Sequence, residues 1–188
     1  MNMTESLAAT DRIAELLIHI GRASRSEDAR SELTAAQWTC LRFFSRANQS
    51  TRTPSAFADF QATTRGTASQ IVKSMEQRGL IARKKSHTDG RSTRFDLTDA
   101  GWRALENDPL GVLIAALDEL GVAQRKALLA SLSQISSVLA DRKGLRAFGT
   151  CSDCTHFSLT NDSGYCACMA AELTEADLGK LCASYTGG

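Results

Sequence analysis

Thr64-Arg65-Gly66-Thr67-Ala68-Ser69-Gln70-Ile71-Val72-Lys73, continuing through Glu76-Gln77-Arg78-Gly79-Leu80, is the stretch that decides how the rest of the chain is read. Ala68, Ile71, Val72 and Met75 recur at helical spacing, which leaves Arg65, Thr67, Ser69, Gln70 and Lys73 facing out. Thr63 or Thr64 supplies an N-cap, and Gly79 a left-handed stop after about residue 77. The outward face is rich in hydroxyls and carries an amide and an arginine, unlike the acid and base mixture of an ordinary exposed helix.

Downstream, residues 80–85 and 93–97 read as two strands joined by a loop containing Asp89-Gly90, a dipeptide that hairpin turns favour. Thr98 caps a further helix, Asp108-Pro109 interrupts it, and apolar-periodic segments follow at 110–120 and 122–139 before Gly144 closes the helical part. Upstream, Thr53-Pro54 opens a short helix with Phe57 and Phe60 pointing inward. Before it lies a buried helix over 33–47, with Thr34 and Gln37 at capping-box spacing and Trp38, Leu41 and Phe44 on one face. Leu7, Ile13, Leu16, Leu17 and Ile20 form the apolar side of a first helix. Trp38, Phe43, Phe44, Phe57 and Trp102 are expected in the core, Cys40 as a small buried hydrophobe, and His19 and His87 as isolated structural or surface residues. The expected fold is mainly α with a small β-wing, a winged helix-turn-helix.

The formal net charge of +1 over 188 residues argues against a purely electrostatic nucleic-acid coat. Charge is instead segregated: Arg65, Lys73, Arg78, Arg83, Lys84, Lys85, Arg91 and Arg94 are opposed locally only by Glu76 and Asp89, while Asp153, Asp162, Glu172, Glu175 and Asp177 balance them in the tail. Small polar side chains on a helix can reach base edges in a major groove, and hairpin arginines suit the electronegative minor groove beside it. Lys84 and Lys85 suit phosphate contact or the protection of an exposed strand edge equally well. The first residues lack the apolar run of a signal peptide or membrane span, so a soluble, cytoplasmic protein is expected. No Ser-His-Asp order, paired-acid motif, phosphate loop or dinucleotide glycine pattern is present, and no enzyme activity is expected.

The helix quoted first, then Thr88-Asp89-Gly90-Arg91-Ser92-Thr93-Arg94, then Leu97-Thr98-Asp99-Ala100-Gly101, resemble the recognition helix, wing and exit helix of the MarR family. The resemblance runs over roughly residues 7–142. It implies a triangular homodimer held by the first and last helices, with two winged lobes reading a pseudo-palindromic operator in double-stranded DNA, most simply as a repressor. Thr64, Arg65, Thr67, Ser69, Gln70 and Lys73 would face the major groove; Arg91, held by Asp89, would enter the minor groove with Arg94 on the same hairpin. The family commonly encloses an apolar crevice for phenolic or lipophilic effectors. The implied division is a dimerisation helix at 1–30, a DNA-binding domain at 31–107, dimerisation helices at 108–145 and a cysteine-rich tail at 146–188.

That tail departs from the family pattern. Five of the six cysteines lie between Cys151 and Cys182 in a chain with no export signal, which reads first as a metal site. Cys151-x-x-Cys154 lets two thiolates address one centre, and Cys166 and Cys182 complete the preferred four-ligand set, with Cys168 and His156 in reserve. The irregular second half, Cys166-x-Cys168 and a distant Cys182, favours an iron–sulfur cluster; structural zinc is the alternative, and thiol switching without metal the third. DNA affinity is then expected to follow iron or redox state.

Overall fold

The computed structural model describes residues 3–24, 31–85, 93–160 and 163–187. Helices α1 (Met3–Ala23), α2 (Ala35–Arg46), α3 (Pro54–Phe60) and α4 (Arg65–Gln77) lead to the antiparallel strands β1 (Ile81–Lys85) and β2 (Thr93–Leu97). Helices α5 (Asp99–Leu105), α6 (Gly111–Asp118) and α7 (Val122–Lys143) follow. Four threonines set four helix starts. Thr34 and Gln37 cap α2 reciprocally, Thr53 precedes Pro54 at the start of α3, Thr64 rather than Thr63 caps α4, and Thr98 caps α5. Left-handed Gly79 (φ +70°) and Gly144 (φ +60°) end α4 and α7 as their positions predict.

Leu41, Phe43, Phe44, Phe57, Ala68, Val72, Met75, Ile81 and Phe95 form one buried cluster beneath α2, α3, α4 and the wing. Phe43 is its hub, with the rings of Phe44, Phe57 and Phe60 centred 5.2–5.4 Å away. Cys40 is fully buried there, as expected, and burial raises its thiol pKa far above the ordinary value. One aromatic expectation fails. Trp102 is 50% exposed, because the preceding Gly101 is the residue packed against the Leu80 backbone and one helical step turns Trp102 about 100° away. Phe60 points inward onto Phe43 but keeps 37% of its surface, because it lies at the edge of the core, where it also meets Phe148 edge to face.

Helices α1, α6 and α7 bury little. Ile13, Ile18, Val112, Ile114, Leu129 and Ile135 each keep about half or more of their surface, and of the 22 residues of α7 only Ala140 is buried. Apolar exposure on this scale is more than singly scattered surface residues present.

The tail, expected only as a cysteine-rich segment, has architecture of its own. Strand β3 (Gly149–Thr150) pairs antiparallel with β7 (Leu181–Cys182), and β4 (Phe157–Thr160), β5 (Ser163–Cys166) and β6 (Ala171–Leu173) form a three-stranded sheet. A short 3-10 turn at Cys151–Asp153 and helix α8 (Glu175–Leu178) complete it. Among the described residues from 145 onward, the buried apolar side chains are Cys151, Cys166 and Cys182.

Candidate nucleic-acid interface and cysteine module

α3 and α4 are joined by a tight turn in which Ala62 adopts φ +48°, while Thr63 N–H donates to Ala58 O at 3.0 Å. A non-glycine residue held there costs roughly 1 kcal/mol, which the packing of both helices must offset. Burial of Ala68, Val72 and Met75 fixes the roll of α4. Thr64, Arg65, Thr67, Ser69, Gln70 and Lys73 are consequently all exposed, and all but the cap Thr64 lie on α4 itself. Thr64 Oγ1 accepts from Thr67 N–H at 3.2 Å and lies 2.9 Å from Thr67 Oγ1, so these two hydroxyls are first committed to the cap. Among the described residues, the side chains of Arg65, Ser69, Gln70 and Lys73 have no protein partner and remain available to a ligand.

The wing pairs Ile81 with Leu97 and Lys85 with Thr93, placing Arg94 opposite Lys84. Asp89 and Arg91, the expected wing-tip pair, and His87 lie outside the described residues. Two bases of the expected basic face serve the fold instead. Arg83 sits 5.6 Å from the Phe95 ring centroid and 3.5 Å from Glu76, tying wing to α4, and Arg78 Nη1 donates to Glu32 O at 2.9 Å.

Sequence reasoning missed the residues that hold the wing in place. Arg52 Nη1 donates to Asp96 Oδ1 at 2.6 Å and Arg52 Nε to Ala47 O at 2.9 Å, while Phe95 N–H donates to Arg52 O at 3.0 Å. Arg42 grips Asp108 through two hydrogen bonds and so joins α2 to the break before α6. Neither arginine belongs to a periodic pattern or motif, so only the tertiary contacts identify them.

A cavity of about 950 Å³ opens between α1, α2, α5 and α6, lined by Ile20, Leu33, Trp38, Leu80, Val112 and Leu113, with His19, Glu32 and Arg78 as charged or polar neighbours. His19, expected to be merely structural or exposed, thus borders a ligand-sized space.

All six cysteines of the chain are free thiols, five of them in the tail. Cys151, Cys166 and Cys182 are buried, Cys154 is half-buried and Cys168 is exposed. Burial pushes the Cys151 thiol up to about 11, and the nearby Cys182, Cys166 and Cys154 thiolates and the Asp177 carboxylate push it the same way. The preferred four thus share one electrostatic neighbourhood from which Cys168 is missing. His156, the other reserve ligand, lies 3.2 Å from Thr186 Oγ1 through Nε2. Among the described residues no three His, Cys, Asp or Glu side chains form a ready-made ligand set, so the thiols converge without reaching coordinating geometry. As a donor set, four thiolates suit zinc or iron–sulfur iron.

Among the described residues, no helix is long and apolar enough to cross a membrane. No curated protein matches the chain in sequence. Residues 31–92 match the sequence profile of the MarR family. Solved structures agree on the fold. A MarR family transcription regulator aligns at 21% identity and TM-score 0.56 over 75% of this chain and 94% of its own. A MarR family protein from Bacillus stearothermophilus aligns at 16% and 0.56 over 74% and 99%, and the MepR–DNA complex of S. aureus at 18% and 0.52 over 70% and 97%. Helix-turn-helix, wing and flanking helices thus follow one shared plan, and residues 31–92 are similar in sequence to the MarR family.

Proposed function

We propose that the protein is a sequence-specific, DNA-binding transcriptional regulator that works as a homodimer, most simply a repressor, and whose affinity for DNA answers to the state of its cysteine module. The observation that carries the DNA-binding reading is the outward face of α4, where Arg65, Ser69, Gln70 and Lys73 stand exposed and unengaged. An amide reads adenine and an arginine reads guanine by paired hydrogen bonds, whereas a lysine serves mainly as a phosphate contact. The start of α4 would add its positive end to the phosphates. Support comes from the similar MepR, whose structure is a DNA complex. The exposed apolar residues of α1, α6 and α7 support a second copy as the partner of those helices. In that dimer Asp89, Arg91 and Arg94 would belong to the wing that approaches the minor groove.

The cysteine module is read as the regulatory element, holding an iron–sulfur cluster on Cys151, Cys154, Cys166 and Cys182, with zinc as the alternative. Its support is physical: a segment whose buried apolar side chains, among the described residues, are three cysteines has little apolar core, and small folds of that kind are normally stapled by metal or disulfide. The cavity beside His19 favours a second reading, in which a lipophilic or phenolic effector acts between α1 and the DNA-binding lobe.

The deciding experiment is fluorescence anisotropy with a fragment of the protein's own promoter against random DNA of equal length, over a salt series. Specific binding should exceed random binding by at least about a thousandfold. Gln70→Ala should relax specificity at one position by about 1–3 kcal/mol, and Lys73→Ala should weaken all sequences alike and lower the salt slope by about 1. Equal affinity for both DNAs, or a monomer in solution, sinks the reading.

A further inference from the structure

We propose that the cysteine module is a clamp on the DNA-binding lobe: ligation of a thiophilic cation by its thiols is transmitted through Thr51 and Arg52 to wing strand β2. This rests on the reading of the module as a metal site and adds how that site would reach the DNA-binding surface.

The ribbon β3–β7 carries the ends of the cysteine set, since Cys182 lies within β7, opposite Gly149, and Cys151 follows β3 directly. The ribbon is fastened to the corner between α2 and α3. Leu181 forms a parallel bridge with Ala47 and accepts from Asn48 N–H at 2.9 Å; Ala183 N–H donates to Thr51 Oγ1 at 2.9 Å. Lys180 Nζ donates to Ser45 O at 3.2 Å, which adds a third tie to the end of α2. Thr51 is 1% exposed, and it and Ser45 are the buried polar residues among those described. A buried hydroxyl has to be hydrogen-bonded to be tolerated, so the Thr51–Ala183 contact is a specific joint.

From Thr51 the path is continuous. The next residue, Arg52, accepts from Phe95 N–H and donates to Asp96, both in β2, the strand that also carries Arg94. On its far side the module leans on α7, where a Cβ added at Gly187 would stand 3.2 Å from Ser137 Oγ; within the module the Tyr185 ring lies over Gly149, where an added Cβ would come within 2.4 Å of it. The module therefore fills the notch between a helix with an exposed apolar face and the corner that suspends the wing. Sheets of two or three very short strands are marginal by themselves. A cation that drew Cys151, Cys154, Cys166 and Cys182 together would stiffen the ribbon at both of its attachments, and a hydrogen-bonded chain of this kind carries coupling when one element has two states.

The test uses the full chain, reduced and metal-free, with Zn(II) in one arm and ferrous iron plus sulfide under anaerobic conditions in the other. Metal stoichiometry, hydrogen exchange at 47–52 and 93–97, and promoter affinity are measured with and without metal. In the wild type and in Thr51→Ser, metal should slow exchange in both segments and change DNA affinity by about tenfold. Thr51→Val should bind the same metal yet show a ratio near one, with no change at 93–97. Asp96→Asn, distant from the thiols, should pass protection to 47–52 and stop it there. Undiminished coupling in both variants overturns the clamp while leaving the metal reading intact; a wild type that takes up neither metal overturns both.

Discussion

Phe60 and Phe148 meet edge to face, with ring centroids 5.3 Å apart and planes at 85°. Phe60 belongs to the first helix of the helix-turn-helix, and Phe148 lies just before β3, so the tail is packed into the winged lobe through an aromatic joint. Phe148 also reaches Phe43, the hub of the core, at 6.4 Å. Phe148→Ala should therefore destabilise the lobe itself by about 2 kcal/mol, less than a fully buried phenylalanine would cost. The check is chemical unfolding followed by Trp38 fluorescence, whose indole donates to Ser31 Oγ at 2.8 Å on the lobe. An unchanged midpoint would show that the tail is merely tethered.

Gly101 lies where α5 passes the backbone of Leu80: an added Cβ would stand 2.1 Å from Leu80 O and 3.3 Å from the Leu97 side chain. The obstacle is backbone, so no side-chain rotation relieves it. Gly101→Ala should cost about 3 kcal/mol or more and loosen the wing, with promoter affinity falling along with thermal stability. A variant as stable as the wild type would mean that α5 can slide away from β1.

Most of the winged lobe was legible because its signals are local. Threonines at 34, 53, 64 and 98 announce helix starts by chemistry that needs no distant partner, and the stripe Ala68, Val72, Met75 fixes which side of α4 faces out. Trp102 misled because size and apolarity suggest burial, whereas the close approach of Gly101 dictates the roll of α5. The tail was legible as a set of ligands and opaque as a fold. Strands of two to four residues carry too few positions for an alternating pattern, and Thr51, Arg52 and Asp96 acquire their roles only from partners distant in sequence.

Cys40 supplies a pH dependence. Burial raises its thiol pKa well above the ordinary 9.0. In the unfolded chain that thiol ionises near 9.0, while the folded protein keeps the proton. Above this pH the unfolded state therefore binds fewer protons, and linkage makes stability fall as pH rises. Cys151, pushed up to about 11, adds to the same slope in the metal-free protein. Urea midpoints should thus drop between about pH 8 and pH 10, and Cys40→Ala should flatten part of that drop while losing a pH-independent increment of packing. Parallel pH profiles for the two proteins would count against a buried, protonated Cys40.

Cys166 and Cys168 are two residues apart and opposite in character. Strand alternation would put both on one face, but β5 ends at Cys166 and the following turn, with Ala170 at φ +47°, carries Cys168 outward. Cys166 is 8% exposed and raises the Cys151 pKa; Cys168 is exposed and contributes nothing there. Cys166→Ser should therefore abolish stoichiometric metal uptake, whereas Cys168→Ser should leave it intact and remove the thiol that reacts fastest with iodoacetamide in the metal-free protein. Metal analysis and peptide mass spectrometry read both effects. The reverse pattern, with Cys168 indispensable and Cys166 replaceable, would mean that metal binding refolds the turn after β5 and that the convergence of thiols described above is not the binding geometry.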